Sequence, residues 1–594
     1  MTKILCVYRI RDLFALSALM FFAQACALEE DEVANPPNVI IMLADDQGWG
    51  DLSSSGNTNL STPNIDLLAE QGVKFNNFFV SPVCSPTRAE LLTGRYHPRG
   101  GVHGTSAGSE LLDLDEQTIA EVFKAAGYST AIFGKWHNGM QPPYHPNARG
   151  FDEFYGFASG HWGDYFSPNL LEHNGELVKG NGFLIDDFTD RAIEFIGTNK
   201  EKPFFVFLPF NTPHSPMQVP DEWWEKFEDA DLAMRHREPD RENVQHTKAA
   251  LAMVENIDWN VGRLQQYLDE QGLDNTIIMY FSDNGPNGSR WNGGMKGRKG
   301  STDEGGVRSP FYMQWKGQIE AGSEIDEIAG AIDLLPTLAD MAGLEHSYKN
   351  PLDGVSLNPL LQGVSDWPER YIFTHWRDRV SVRSQTHRLD NENQLFDMVN
   401  DHDQQTNVAE FAPEIVADMT TAKEAWMEDV LASYPREERP FPVGHADYDF
   451  TQLPIRDAVG TGAIERSNRY PNDSFFRNWT STNDEVTWNV EVLTSGTYEA
   501  VLYYACPEED LGSTIELSFG DNNIQGVVEV ANDPPLLGAE NDRDPRIESY
   551  VKDFKPMNLG EITLEKGDGT MRLRALDMPG SQVMEVRLLM LNRK

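Results

Sequence analysis

Four apolar runs in the first half of the chain share one grammar. Val39-Ile40-Ile41-Met42-Leu43 stops at Asp45-Asp46-Gln47-Gly48, and Thr130-Ala131-Ile132-Phe133 stops at Gly134-Lys135-Trp136-His137. Phe204-Phe205-Val206-Phe207-Leu208 is followed by Asn211-Thr212-Pro213-His214, and Ile277-Ile278-Met279-Tyr280-Phe281 by Ser282-Asp283-Asn284-Gly285. Short, continuously apolar runs predict strands buried on both faces. Helical patterns lie between them, over 115–126 and 247–269. Strands alternating with helices predict an α/β domain, a mostly parallel sheet sandwiched by helices. In open sheets of that kind ligands bind beyond the carboxyl ends of the strands, so the four polar clusters should converge.

The pattern changes after residue 370. From Tyr371 to Leu431 a short strand pattern precedes Gln394-Leu395-Phe396-Asp397 and then a helix-like stretch, which predicts a small α+β unit over 371–432. Charge and prolines in Arg436 through Val443 suggest a linker, bounded here as 433–456. Beyond it, Val486, Trp488, Val490 and Val492 alternate with polar residues, as do Tyr498, Ala500, Leu502, Tyr504 and Cys506, and later Met584, Val586, Leu588 and Met590. Period-two patterning separated by turns predicts an all-β sandwich over 457–594. Such a module either binds carbohydrate or only buttresses the first domain; its alternating aromatics name no ligand.

The 594 residues are 40% hydrophobic, enough for several packed domains. Lys3, Arg9 and Arg11 precede an apolar stretch from Leu13 to Phe22, too short to span a bilayer, and Ala23-Gln24-Ala25 has the small-x-small form of a cleavage site. Residues 1–25 are therefore expected to be a signal peptide, with export to the periplasm or medium; a lipid anchor on Cys26 is the less favoured alternative. No transmembrane segment is expected. Loss of the leader removes Cys6 and Cys26, leaving Cys84 and Cys506 and no disulfide framework. With 93 Asp and Glu against 49 Lys and Arg, the formal net charge of −44 rules out nucleic acid as a broad partner. An anionic substrate would need a local basic pocket inside this repelling field.

Asp45, Asp46, Asp283 and Asn284 supply hard oxygen ligands suited to Ca²⁺, less to Mg²⁺, and no His or Cys pair has zinc spacing. Singly, each cluster is ordinary turn vocabulary; their placement after buried strands sets them apart. Cys84-Ser-Pro-Thr-Arg88, extended by Leu91-Leu92-Thr93-Gly94, places a lone thiol before a proline and an arginine.

This run resembles the modification signature of type I sulfatases, members of the alkaline phosphatase superfamily. Leu43-Ala44-Asp45-Asp46-Gln47-Gly48-Trp49-Gly50-Asp51 is similar to that family's first metal motif, Gly127-Tyr128 through His137 to its second signature, and Thr212-Pro213-His214, Ser282 through Gly285 and Lys299 through Arg308 follow in family order. The likeness spans roughly residues 36–430 and identifies 36–370 as the catalytic domain and 371–432 as its C-terminal subdomain. Phe133 is bulkier than the residue usual before the Gly-Lys pair. The resemblance implies that a maturation enzyme converts Cys84 to Cα-formylglycine, whose hydrate attacks sulfur. It also implies that Asp45, Asp46, residue 84, Asp283 and Asn284 hold calcium, that Asp283 is also the candidate base for the attacking hydroxyl, and that Arg88 supports the nucleophile. Lys135 and Lys299 would bind sulfate oxygens, His214 would protonate the leaving alcohol, and His137 would help expel sulfate.

The expected function is hydrolysis of sulfate esters on a sulfated polysaccharide or oligosaccharide. The alternatives are a phosphoester or phosphonate hydrolase of the same superfamily, and a catalytically silent carbohydrate-binding protein. His103, His145, His161, His173 and His375, with Trp162 and Tyr165, lack motif support, and Arg290, Lys296 and Arg298 either add positive field near Lys299 or sit in a solvated Gly-rich loop.

Overall fold

The four apolar runs are adjacent strands of one sheet. A computed structural model describes residues 36–344, 347–432, 434 and 439–594; the expected leader and Cys26 lie outside them. The central sheet has ten strands: β1 (Asn38–Ala44), β2 (Val73–Phe75), β3 (Ser129–Lys135), β4 (Glu153–Phe157), β5 (Leu171–His173), β6 (Glu176–Val178), β7 (Phe204–Pro209), β8 (Thr276–Ser282), β9 (Phe311–Trp315) and β10 (Ser323–Ile325). Their order is β10-β2-β9-β8-β1-β7-β3-β4-β5-β6. The middle five, β8-β1-β7-β3-β4, are all parallel, with Val39 opposite Phe205 on one side and Ile277 on the other. The flanking pairs β8–β9 and β4–β5 are antiparallel.

Burial on both faces follows from the pleat. Val39, Ile41 and Leu43 of β1 pack into one apolar core with the helices Cys84–Thr93, Ile119–Ala125 and Leu334–Met341. Ile40, Met42 and Ala44 point the other way, into a second core with the helices Pro63–Gln71, Leu184–Asn199 and Val244–Gln271. Successive side chains therefore alternate between two dry layers, which is why these strands read as unbroken apolar runs. The helix expected over 115–126 begins only at Ile119. Thr118 accepts from the Glu121 amide at 3.2 Å while Glu121 accepts from the Thr118 amide at 2.7 Å, and this reciprocal cap fixes the start.

A four-stranded antiparallel sheet (Ile372–Trp376, Arg379–Arg383, His387–Leu389, Leu395–Asp397) with the helix Pro413–Val430 follows the central domain. The segment 433–456 does not act as a linker throughout. Phe441–Val443 pairs with Glu485–Val492, and Phe450–Pro454 with Glu585–Arg593, so these residues are strands of the two six-stranded sheets that pack face to face through the end of the chain. Phe441, Val443 and Leu453 join the sandwich core around Trp488 and Tyr498; burial of these apolar side chains outweighed the proline-rich composition.

Asn38–Lys594 forms one compact unit. Gln218 donates to the Gly538 carbonyl at 2.8 Å, the Arg543 amide donates to the Met217 carbonyl at 2.8 Å, and Gln141 donates to the Gln452 carbonyl at 2.7 Å. Cys84 and Cys506 are both free and buried, and among the described residues no helix is long and apolar enough to cross a membrane. A chain ending at residue 432 is expected to melt several degrees below the full chain in calorimetry, because the bonds that Gln218, Met217 and Gln141 make across the seam are lost. An unchanged melting temperature would mean that the sandwich is a passive appendage.

Candidate active site

The parallel strands deliver their polar ends to one place. Asp45 and Asp46 follow β1, Asp283 and Asn284 follow β8, His214 lies on the loop after β7, and Lys135 and His137 close β3. Cross-strand bonds hold the turns in register: the Asp45 amide donates to the Thr212 carbonyl at 3.0 Å and the Asp283 amide to the Ala44 carbonyl at 3.0 Å. Cys84 is the first residue of the helix Cys84–Thr93, all of whose residues are buried. Thr87 ties that helix to β8 through a 2.6 Å bond from its hydroxyl to the Asp283 carbonyl, a link the sequence does not announce.

Three carboxylates face three cations. Arg88 Nη2 donates to Asp283 Oδ2 at 2.9 Å with both side chains fully buried, and its Nη1 donates to the Lys135 carbonyl at 2.7 Å. Lys135 Nζ donates to Asp45 Oδ2 at 2.6 Å, and Lys299 Nζ lies 2.6 Å from Asp46 Oδ1 and 2.8 Å from Oδ2. His214 Nε2 sits 3.5 Å from Asp46 Oδ2. The sequence-predicted set of Asp45, Asp46, Cys84, Arg88, Lys135, His214, Asp283, Asn284 and Lys299 is thus gathered by direct bonds or shared neighbours.

The charge balance is tight enough to shift protonation. Burial and the neighbouring Asp45 carboxylate push Asp283 up to about 7 against the opposing Arg88 and Lys135. Burial likewise raises the Cys84 thiol, disfavouring a thiolate. Burial would also raise Asp45, but Lys135, His214, Arg88 and Lys299 hold it below the usual carboxylate range.

The residues present fit a hard divalent cation. One ligand atom each from Asp45, Cys84 and Asp283 lie within 4.8 Å of one another, as do those of Asp45, Asp46 and His214. Asp45 Oδ1 and Asn284 Oδ1 are buried acceptors without a hydrogen-bond partner. The carboxylates of Asp45, Asp46 and Asp283 with the Asn284 amide oxygen give a hard, oxygen-dominated set that suits Ca²⁺ or Mg²⁺.

The two histidines are set in opposite ways. His137 Nε2 lies 2.9 Å from the Thr105 carbonyl, so that nitrogen carries the proton and the buried, unpartnered Nδ1 is the acceptor. Burial and Lys135 keep its ring neutral. His137 has φ 74, and a Cβ on Gly160 would stand 2.0 Å from its Nε2, so the ring is held by backbone strain and a close glycine. His214 instead donates from Nδ1 to the Ser215 carbonyl at 2.7 Å, and burial with Lys299 lowers it to about 4.

Several residues outside the motifs border the site. His161 follows β4, a fifth parallel strand, and packs edge-on against His214 with centroids 5.5 Å apart. Both of its ring nitrogens are buried without hydrogen-bond partners. Tyr165 Oη lies 2.9 Å from the Ser215 carbonyl and 3.1 Å from that of His214, bracing that loop. Glu548, from the sandwich, accepts from Ser215 Oγ at 2.7 Å. Burial opposes its ionisation, but His161, Ser215 and His214 hold it below the usual range. The other histidines are engaged elsewhere: His145 with Glu172 at 2.5 Å, His173 with Glu153 at 3.4 Å, His375 with the Arg377 carbonyl at 2.7 Å and His103 with the Gly101 carbonyl at 3.0 Å. Arg290 does not add field to the pocket; it is buried against Asp51 at 2.6 Å. Lys296 is paired with Asp303 at 3.1 Å.

Replacing Arg88 with Met leaves Asp283 buried without its cation. Urea unfolding is expected to show a loss of roughly 3–5 kcal/mol; a loss near zero would mean that Asp283 draws its stabilisation from elsewhere.

Residues 37–344 match the sulfatase family. Among curated proteins, the chain is 32% identical to the N-acetylgalactosamine-6-sulfatase of Mus musculus over 383 residues, covering 58% of this chain and 70% of that protein. It is 30% identical to the steryl-sulfatase of Mus musculus, covering 57% and 67% respectively. Among solved structures, Ps i-CgsB in complex with k-i-k-neocarrahexaose superposes with a TM-score of 0.60 at 31% identity, over 66% of this chain and 93% of that one.

Proposed function

The chain belongs to the sulfatase family and is a sulfuric ester hydrolase, and from that premise we propose that it desulfates carbohydrate through a formylglycine derived from Cys84, with calcium at the carboxylate cluster. The observation that carries this reading is the buried convergence of three carboxylates and three cations around residue 84, at the start of a helix. Sugar sulfates are favoured as substrates because relatives named for N-acetylgalactosamine-6-sulfate and a neighbour holding a neocarrahexaose resemble this chain over most of their length.

Asp45, Asp46, Asp283, Asn284 and residue 84 would hold the calcium, which when bound neutralises the carboxylates and favours an ionised oxygen nearby. Lys135 and Lys299, which the carboxylates now engage, would then be free to bind sulfate oxygens. At residue 84 the aldehyde, once hydrated, offers two hydroxyls: one gives up its proton to Asp283 and forms the bond to sulfur as the ester C–O–S linkage breaks at sulfur, and the alkoxide leaves. His214, bare at Nε2 when neutral, gains a proton there as the sulfate's charge enters and passes it to the leaving oxygen. His137 takes the proton of the second hydroxyl at its open Nδ1. The C–O bond to the sulfated oxygen then breaks, releasing sulfate and restoring the aldehyde without attack of water on sulfur. Export would follow from the leader over 1–25, with the maturation enzyme acting before the chain folds, since residue 84 is buried once folded.

Mass spectrometry of the peptide spanning residue 84 is expected to find the aldehyde, and Cys84→Ser is expected to abolish catalytic turnover of a sulfated oligosaccharide while circular dichroism is unchanged. Near-normal turnover of Cys84→Ser would refute the nucleophile. Calcium is expected to raise the melting temperature, by the equivalent of about 2.7 kcal/mol at a hundredfold excess over Kd. Asp45→Asn should remove most of that gain; an identical gain in the variant would place the ion elsewhere.

A further inference from the structure

Beside Lys299 a cavity of about 870 Å³ opens, walled by His236, Arg237, Glu238 and Arg241, by the Gly-rich loop 296–301, and by Arg379, Gln394 and Phe396 of the four-stranded unit. Its volume falls within the roughly 300–1,000 Å³ of small-ligand sites. Its charge runs against the rest of the molecule. The chain has nearly two acids for every base, so a guanidinium would ordinarily find a carboxylate. The lining's two acids are already taken: Glu238 by Arg241 at 3.1 Å and Asp303 by Lys296 at 3.1 Å. Arg237, Arg298 and Arg379 have no carboxylate partner among the described residues.

Two of the three are nonetheless held in place. Arg237 donates from Nη1 to the carbonyls of Asp403 at 2.6 Å and Gly294 at 3.1 Å, and Arg379 donates to the Gly300 carbonyl at 3.2 Å. Carbonyl partners fix a guanidinium's position without neutralising it, and the planar fork matches paired oxygens on a tetrahedral anion. Lys299 belongs both to this wall and to the catalytic cluster, so the cavity adjoins the site, and a glycan with one sulfate at residue 84 would have its neighbouring unit beside it.

We propose that this cavity receives a second sulfate group of the same glycan chain, held by Arg237, Arg298 and Arg379. The proposal rests on the carbohydrate-sulfatase reading for the first sulfate. It also explains how a chain of net charge −44 approaches a polyanion: the cavity supplies the local positive field that the acidic surface denies.

Two arms test it. In kinetics with the mature enzyme, the triple variant Arg237→Ala/Arg298→Ala/Arg379→Ala is expected to lose about tenfold or more in kcat/KM, mainly through KM, on an oligosaccharide carrying a second sulfate on the adjoining sugar. Its kcat/KM on the matched monosulfated oligosaccharide should fall by a much smaller factor, that of the lost local field alone. Equal losses on both substrates, or none on either, overturn the proposal. In titrations of the Cys84→Ser protein, dextran sulfate oligosaccharides are expected to bind more tightly than oligogalacturonate or neutral dextran of the same length, and the triple substitution should remove that preference. Undiminished dextran sulfate binding by the substituted protein, or oligogalacturonate bound equally well, refutes the sulfate assignment. The titration needs no turnover, so failure of the cavity and failure of the carbohydrate reading give different results.

Discussion

The buried balance of Asp45, Asp46 and Asp283 against Lys135, Lys299 and Arg88 governs this site. Buried charges persist only when paired, and breaking one pair exposes the next. Here the pairs are chained: Arg88 binds both Asp283 and the Lys135 carbonyl, Lys135 binds Asp45, and burial together with Asp45 raises Asp283 to about 7. Such a cluster is near neutrality and so has little power to draw in an anion. A divalent cation held by the carboxylates would change the sign, leaving the ammonium groups of Lys135 and Lys299 for an anion. On the proposed reading, metal binding and substrate binding would then be two aspects of one electrostatic event.

The fold makes this balance possible by aiming five parallel strands at one edge. Their two-faced burial in separate apolar cores fixes their register, so each terminal residue is placed by the strand behind it. Two non-glycine residues of the candidate site, Asp46 and His137, have positive φ, 67 and 74, where the chain leaves the sheet. The C-terminal sandwich enters the same scheme from outside. Its Glu548 meets Ser215 beside His214, and Gln218 and the 538–543 segment bond across the seam, so the module braces the wall of the site.

What was legible in the sequence follows from locality. β1, β3, β7 and β8 each carry an uninterrupted apolar run with a polar stop, and the cluster they form was readable from those stops alone. β4 was missed because Glu153-Phe154-Tyr155-Gly156-Phe157 contains a charge and a glycine, and with it went the position of His161. The strands at 441–443 and 450–454 were hidden by prolines and a short span; their pairing partners lie some 50 and 140 residues away. Glu548 could not be found from sequence, because its meeting with Ser215 joins residues 333 apart. The Gly-rich loop divided in a way composition does not encode: Arg290 is buried on Asp51 and Lys296 paired with Asp303, while Arg298 keeps its charge free.

The dependence of anion binding on the cation is the most direct measure of this account. Calorimetric titration of inorganic sulfate into the Cys84→Ser protein, with calcium present and again after chelation, reads it without turnover. The balanced cluster predicts sulfate binding with calcium and its loss, by tenfold or more (about 1.4 kcal/mol), without it. Equal sulfate affinity in both conditions would contradict the account, because the lysines would then be free of the carboxylates at the outset.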